Sequence, residues 1–498
     1  MRPYHTLLFL IIIGLCIFAA GEIFPHGFKI GSLEIRFYRP LEAFRNSPKE
    51  ENSTIDKDKL IQLQEKTNQI LESDTSIFSG DGSLSLTDTA DLPMPEVAFH
   101  IDSSSGIQYP SGDSTILYSF FNALDSARNG SSPLRILHFG DSQIEGDRIS
   151  GYLRQRFQQQ YGGCGPGLLP FSEDIDSRTY LRIQTESEPD KYMLYGKPKL
   201  GPHYKYSLLH SYFRLKRDTS EHDNWIQQKV QYSLNGQGYR RNNYFERATF
   251  LCRNEKSNLS LSLGNIDNQK VNKQFNASDS LRLVTWKMDA PVRRFGIRIQ
   301  TGAETDFYGL CLDCKAGVAV DNIPLRGSSG LELLRINPRF LQEQIRRLNV
   351  KMVILQFGIN VVPYESASYT WYENSLVKAI QTLKKSAPGL QVLVIGVSDM
   401  ARKKDGNWNS FETIPMVLDA QKRACQRTNS AFWDLFQVMG GKNSILAWAK
   451  TNPPLAGKDF IHLTPKGAQV IGEFLFQAIM KEKRTDSYSH RATQNLVN

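Results

Sequence analysis

Cysteine is scarce, with six in 498 residues, so the chain is not a small scaffold stapled by disulfides. The excess of one charge sign is small: 60 Lys and Arg against 51 Asp and Glu leave a net charge of +9. No stretch gathers the basic residues into a stripe, so no nucleic-acid partner is expected. Metal and phosphate signatures are missing. The nine histidines include no HExxH, and GxxxxGK[ST] does not occur. Cys311 and Cys314 have CxxC spacing but no second CxxC or suitably spaced His, which argues against structural zinc. No metal and no cofactor are therefore expected. Internal repeats are absent, and only one run is apolar enough to approach a membrane span. Hydrophobic residues make up 40% and charged residues 22%, which excludes a wholly disordered chain and a polytopic membrane protein.

That one apolar run is Leu7 to Ala20, preceded by Arg2. A positive start followed by an apolar stretch is the grammar of an export signal, and it is short for a span of about 20 residues. Residues 1–21 are read as a signal peptide or N-terminal membrane anchor, which implies an extracytoplasmic location, periplasmic or cell-envelope. Residues 22–95 are polar and turn-rich, with one short helical piece near Leu60 to Leu71, and read as a stalk or linker. Cys164, Cys252, Cys311 and Cys314 could form one or two disulfides; Cys425 falls in a predicted helix.

From Leu134 the pattern becomes strand, turn, helix. Leu134 to Phe139, Val350 to Phe357, Leu390 to Val397 and Ala431 to Phe436 are short apolar strands. Ile149, Leu153 and Phe157 mark an amphipathic helix over Asp147 to Gln159. Asn337-Pro338 and Thr464-Pro465 are helix starts, with an N-cap followed by proline. Alternating strands and helices predict an α/β fold with a parallel sheet covered on both faces and ligands at the strands' carboxyl ends. Residues 168–309 differ. Leu259, Leu261 and Leu263, then Phe295, Ile297 and Ile299, alternate with polar residues, predicting an inserted antiparallel β-sandwich or jelly roll. The α/β part thus falls into 96–167 and 310–485, with 486–498 as a flexible tail.

Four elements at strand ends carry chemistry. Gly140-Asp141-Ser142 follows the first strand and leads into a helix, so a serine there can be exposed near backbone N–H groups. Taken alone, it reads more readily as a turn and helix cap. Asp459-x-x-His462 supplies a base and a carboxylate able to fix its tautomer, or else an ion pair capping the helix from Thr464. Asn360, after Gly358-Ile359, can donate its amide into a cleft. Gly327 follows another strand and can offer its N–H, with Gly317 and Gly330 as nearby alternatives.

Together, in the order Ser, Gly, Asn, Asp-x-x-His, these blocks resemble the SGNH (GDSL-type) hydrolases over about residues 134–165 and 310–482. The resemblance implies a flavodoxin-like, three-layer domain. It implies Ser142 as nucleophile, His462 as base and Asp459 as its orienting partner, with an oxyanion hole of Ser142 N–H, Gly327 N–H and the Asn360 side chain. Two residues depart from the pattern: Gln143 stands where the name has Leu, and Val361 where an Asp is usual.

The β insert and the phrase ILHFGDSQIEGDR are similar to peptidoglycan O-acetylesterases. That resemblance implies a serine esterase removing acetyl groups from an extracytoplasmic polysaccharide through an acetyl-serine. Two other readings are an O-acetyltransferase with the same triad and a non-catalytic glycan-binding envelope protein. The aromatics of the insert (Tyr204, Tyr206, Tyr212, Phe213, Trp225, Tyr232, Tyr239 and Tyr244) are either sugar-stacking surfaces or sandwich core.

Overall fold

The structure is a computed structural model that describes residues 28–30, 33–35 and 106–497, apart from 173–177, 196–198, 216–224 and 264–271. The expected export segment (1–21) lies outside the described residues, as does most of the expected stalk, including the helical piece near Leu60 to Leu71. Two units are present, Met1–Asp56 and Lys57–Asn498. In the first, Phe28–Ile30 pairs antiparallel with Leu33–Ile35.

In the second unit a six-stranded sheet is built from β1 (Ile107–Gln108), β2 (Leu134–Gly140), β3 (Val318–Pro324), β4 (Val350–Gln356), β5 (Gln391–Ile395), a two-stranded excursion β6 (Ala401–Lys404) and β7 (Asn407–Ser410) outside the sheet, and β8 (Ala431–Trp433). The spatial order is β3-β2-β4-β5-β8-β1. All neighbours are parallel except the short β1 on the edge, which runs antiparallel to β8. The five parallel strands thus follow the flavodoxin-like order, second-first-third-fourth-fifth. Sequence alternation on each strand separates two cores. Ile136, Val320, Met352, Ile354 and Leu393 face one side; Leu137, Phe139, Val353, Leu355 and Val392 face the other.

Helices α1 (Tyr118–Asp125), α2 (Arg148–Tyr161), α3 (Pro338–Arg347), α4 (Thr370–Ser386), α5 (Ile414–Thr428), α6 (Leu435–Met439), α7 (Ser444–Trp448) and α8 (Pro465–Val497) accompany the sheet. Ile149, Leu153 and Phe157 of α2 join Val470, Ile471, Phe474 and Leu475 of α8 on the first side. Leu341 and Ile345 of α3, with the apolar faces of α4 and α5, cover the second. Asn337 caps α3 as its sequence predicts, accepting from Phe340 N–H at 3.1 Å. Two boundaries differ from expectation. β8 stops at Trp433, because Asp434 accepts from Gln437 N–H and starts α6. Helix α8 continues to Val497, so residues 486–497, read as a tail, have helical backbone.

Between α2 and β3 the chain forms two antiparallel sheets. One contains Phe245–Asn254, Ser278–Val292 and Asp306–Asp313; the other contains Ile226–Leu234, Leu259–Leu263 and Arg294–Thr301. Their inward residues, among them Val230, Tyr232, Phe250, Leu261, Trp286, Ile297 and Phe307, make a third core. The alternation at Leu259–Leu263 and Phe295–Ile299 is that inner face. Among the insert aromatics, Tyr206, Tyr212, Phe213 and Tyr232 are buried, while Tyr204 and Trp225 remain exposed.

The insert leaves and re-enters the α/β body through one neck. Cys164 and Cys314 form a disulfide there, and Cys314 N–H donates to Cys164 O across it. Cys252, Cys311 and Cys425 are buried free thiols. Beside the neck, buried Arg135 on β2 donates to both oxygens of Asp321 at 2.8 and 3.0 Å and also pairs with Asp313. Asp321 in turn accepts from Leu168 N–H at 2.8 Å. One cation between two carboxylates stays charged although buried, and removing one member would leave uncompensated buried charge.

The disulfide closes a loop with a sequence separation of 150. Loss of such a cross-link costs about 2–5 kcal/mol. Reductant is therefore expected to lower the Tm of the wild type measured by calorimetry. A Cys164→Ser/Cys314→Ser variant should melt lower and ignore reductant. Equal melting of both forms would mean that the charged neck suffices.

Candidate active site

Register brings the strand-end loops together. Gly140, the last residue of β2, lies opposite Pro324 of β3 on one side and Gln356 of β4 on the other. Ser142, Gly327 and Asn360 therefore leave the same end of three adjacent strands. The order reverses between β2 and β4, the place where open parallel sheets form a ligand crevice.

Asp141 joins two of these loops. Its carboxylate accepts from Gln143 N–H at 3.0 Å, which caps the 3₁₀ turn Ser142–Asp147, and from the backbone N–H groups of Ile359 and Gly358. Burial pushes its carboxyl up, to about 7, against the pull of those donors. Buried Asn322 holds the turn from below, donating to Ile144 O and Ser150 Oγ, both at 2.9 Å. The turn leaves Ser142 half-buried at its start.

Ser142 Oγ lies 2.8 Å from His462 Nε2, across a sequence separation of 320. His462 Nδ1 lies 2.7 Å from Asp459 Oδ2. With Nδ1–H given to the carboxylate, Nε2 presents a lone pair to the serine hydroxyl. Asp459 also accepts from the backbone N–H groups of Ile461 and His462 through Oδ1, each at 3.1 Å. Burial opposes its ionisation, but these donors and the His462 ring outweigh it and hold the carboxyl below the usual carboxylate range. Asp459 is not the cap of the following helix. Thr464 Oγ1 takes that place by accepting from Gly467 N–H at 3.1 Å.

The Asn360 amide is exposed at the end of β4 and donates one N–H to Ser328 O at 2.9 Å, tying its loop to the Gly327 loop. The second N–H of the same amide has no acceptor among the described residues. Gly327 has φ +77°, and a side chain there would point into open space. The alternatives differ. Gly317 precedes β3, at the far end of the sheet, and a Cβ on Gly330 would lie 2.6 Å from the Phe357 ring. Arg326 Nε donates to Glu145 Oε1 at 2.9 Å, bracing the Gly327 loop against the serine turn.

Two further residues hold the pair in place. Gln143, which the sequence presents only as a departure from a motif, is buried. Its Nε2 donates to Ile461 O at 2.7 Å, and its Oε1 accepts from Leu463 N–H at 3.3 Å. One amide thus grips the peptide on each side of His462. Arg148, the first residue of α2, donates to Ser142 O at 2.7 Å and Leu463 O at 2.9 Å. A polar residue beside the serine where the family has an apolar one was the only available signal for the first, and none marks the second. The other departure, Val361, is buried with the core under α4 and α5. Among the described residues no group of His, Cys, Asp or Glu is arranged to hold a metal ion.

Residues 296–470 match the GDSL-like Lipase/Acylhydrolase family. The match begins within the last strands of the insert and leaves out the Ser142 block that precedes it. The match and the fold give the α/β body the fold of the SGNH, or GDSL-type, hydrolases, and both support an enzyme acting on ester bonds.

Among solved structures, a peptidoglycan O-acetylesterase aligns with a TM-score of 0.59 at 17% identity, covering 76% of this chain and 99% of that one. The fold, insert included, is therefore shared with that enzyme. An acetyl xylan esterase aligns with a TM-score of 0.26 at 19% identity, over 32% of this chain and 81% of its own. A family two carbohydrate esterase from Cellvibrio japonicus gives 0.21 at 8% identity, over 61% and 98%. No curated protein matches the chain.

Gln143→Leu restores the residue of the motif's name but leaves Ile461 O and Leu463 N–H without this partner. A misplacement of about 1 Å at a reacting group costs up to roughly a hundredfold. The variant is expected to lose about ten- to a hundredfold in kcat on p-nitrophenyl acetate with little change in KM. A wild-type kcat would show that the histidine loop holds itself.

Proposed function

We propose that this chain is a serine esterase that removes O-acetyl groups from an extracytoplasmic polysaccharide, most directly peptidoglycan. The observation that carries the reading is the Ser142–His462–Asp459 relay at 2.8 and 2.7 Å on the crevice of an SGNH sheet. The peptidoglycan O-acetylesterase that shares the whole fold supports the substrate class.

In this reading His462 takes the Ser142 proton as Oγ attacks the acetyl carbonyl. The oxyanion is met by Ser142 N–H, Gly327 N–H and the free N–H of Asn360. The C–O bond to the sugar breaks, and the sugar oxygen leaves with the proton from His462. Water, deprotonated by the same imidazole, then releases acetate from the acetyl-serine. Asp459, anionic through its hydrogen bonds, stabilises the imidazolium in both steps. Export directed by residues 1–21, cleaved or kept as an anchor, belongs to the same proposal and predicts that the protein fractionates with the cell envelope.

The test is acetate release from p-nitrophenyl acetate and from O-acetylated peptidoglycan. The wild type should act on both, and Ser142→Ala should lower kcat at least about a thousandfold. Asn360→Ala should lower kcat by roughly a hundred- to a thousandfold. Undiminished release by Ser142→Ala would overturn the assignment of the nucleophile. Release from the small ester alone would move the substrate to another glycan, and release from neither would favour a glycan-binding protein.

A further inference from the structure

The hairpin β6–β7 is the one excursion between β5 and α5, on the carboxyl side of the sheet where the crevice lies. Its turn, Asp405-Gly406, has φ of +51° and +85°, the paired positive values of a tight hairpin turn. A lone two-stranded hairpin is marginal in water, and this one is fastened to both walls of the site. Ala401 N–H donates to Phe460 O at 2.9 Å. Arg402 pairs with Glu365, beyond Asn360. Ser410 N–H donates to Asn443 Oδ1 at 2.9 Å, and Asn443 N–H donates to Ser410 Oγ at 2.7 Å.

What these anchors hold up is exposed. Lys403, Lys404, Asn407, Trp408 and Asn409 all face solvent, Trp408 at 38%. Trp408 packs at a steep angle, 65°, on Phe460, which follows Asp459 in the histidine loop and adopts φ +52°. Lys403 is the direct cross-strand partner of Trp408, so the two project from one face of the hairpin. Lys404 has Glu412 as a neighbour at 3.4 Å, whereas Lys403 has no ion-pair partner among the described residues. The exposed indole and ammonium thus stand side by side against the histidine loop.

We propose that this hairpin is a subsite for the acetylated polymer. Trp408 stacks on the apolar face of the sugar next to the scissile ester, and Lys403 pairs with a carboxylate of that acidic glycan. The inference rests on the esterase reading above and narrows its substrate to a polysaccharide carrying carboxylates.

The test compares kcat/KM on O-acetylated peptidoglycan, on neutral acetylated xylan and on p-nitrophenyl acetate. For Trp408→Ala the ratio of either polymer to the small ester should fall roughly three- to tenfold, chiefly through KM, and Trp408→Tyr should restore most of it. Lys403→Glu should lower the peptidoglycan ratio and spare xylan, with the difference shrinking in high salt. Unchanged ratios, or equal losses on all three substrates, would overturn the proposal, the latter by showing that Trp408 only props the histidine loop. Co-sedimentation with insoluble peptidoglycan in the Ser142→Ala background separates the two readings. If the Ser142→Ala protein binds while the wild type does not deacetylate, the esterase reading fails, and the subsite stands only if Trp408→Ala in that background lowers the bound fraction. If that fraction is unchanged, the subsite is wrong whatever the turnover.

Discussion

Everything at this site depends on the register of β2 between β3 and β4. With Gly140 opposite both Pro324 and Gln356, three loops leave the sheet at one level, and no side chain has to reach far. The serine turn then acts as a hub. Asp141 binds the loop of Asn360, Glu145 pairs with Arg326 beside Gly327, and Gln143 with Arg148 binds the histidine loop. Most of these ties end on backbone atoms. They fix where peptides lie, and in the proposed reading side-chain chemistry is then added at Ser142, Asn360 and His462. Catalytic groups contribute through being already in place when charge develops, so such ties belong to the chemistry.

The same economy governs the insert. About 150 residues of β structure enter and leave between α2 and β3, and the body must not feel them as a flexible interruption. The disulfide closes the neck covalently, while Arg135, Asp313 and Asp321 close it electrostatically. Asp321 sits on β3 and accepts from Leu168, so a strand of the catalytic sheet also holds the first residues of the insert. Buried charge of this kind gives geometry more than stability, since its desolvation offsets much of its attraction.

Much of this was legible in the sequence because strand-end chemistry is local. Gly-Asp-Ser, Gly-Ile-Asn and Asp-x-x-His each carry their meaning within a few residues, and strand periodicity separates the parallel from the antiparallel part. What was not legible is pairwise and distant. Gln143 looks like a lapse from a motif until Ile461 and Leu463 stand beside it. Four cysteines left the disulfide open until the neck brought Cys164 to Cys314. Ala431 to Phe436 reads as one strand because Phe436 is apolar, yet Asp434 caps a helix inside it. Lys403 and Trp408 become a pair only once the Asp-Gly turn sets their register.

Exposure bears on which acceptor would take the acyl group. An acetyltransferase must keep water from its acyl-enzyme, because bulk water at high concentration competes with every sugar hydroxyl. Here the His462 side chain is 35% exposed and the Asp459 side chain 48%. The base that would deprotonate the second nucleophile faces solvent, and Trp408 with its hairpin borders one side of the crevice without roofing it. In the proposed reading a relay this open suits transfer to water, and the same openness would let a long polymer lie across the site and leave after each deacetylation.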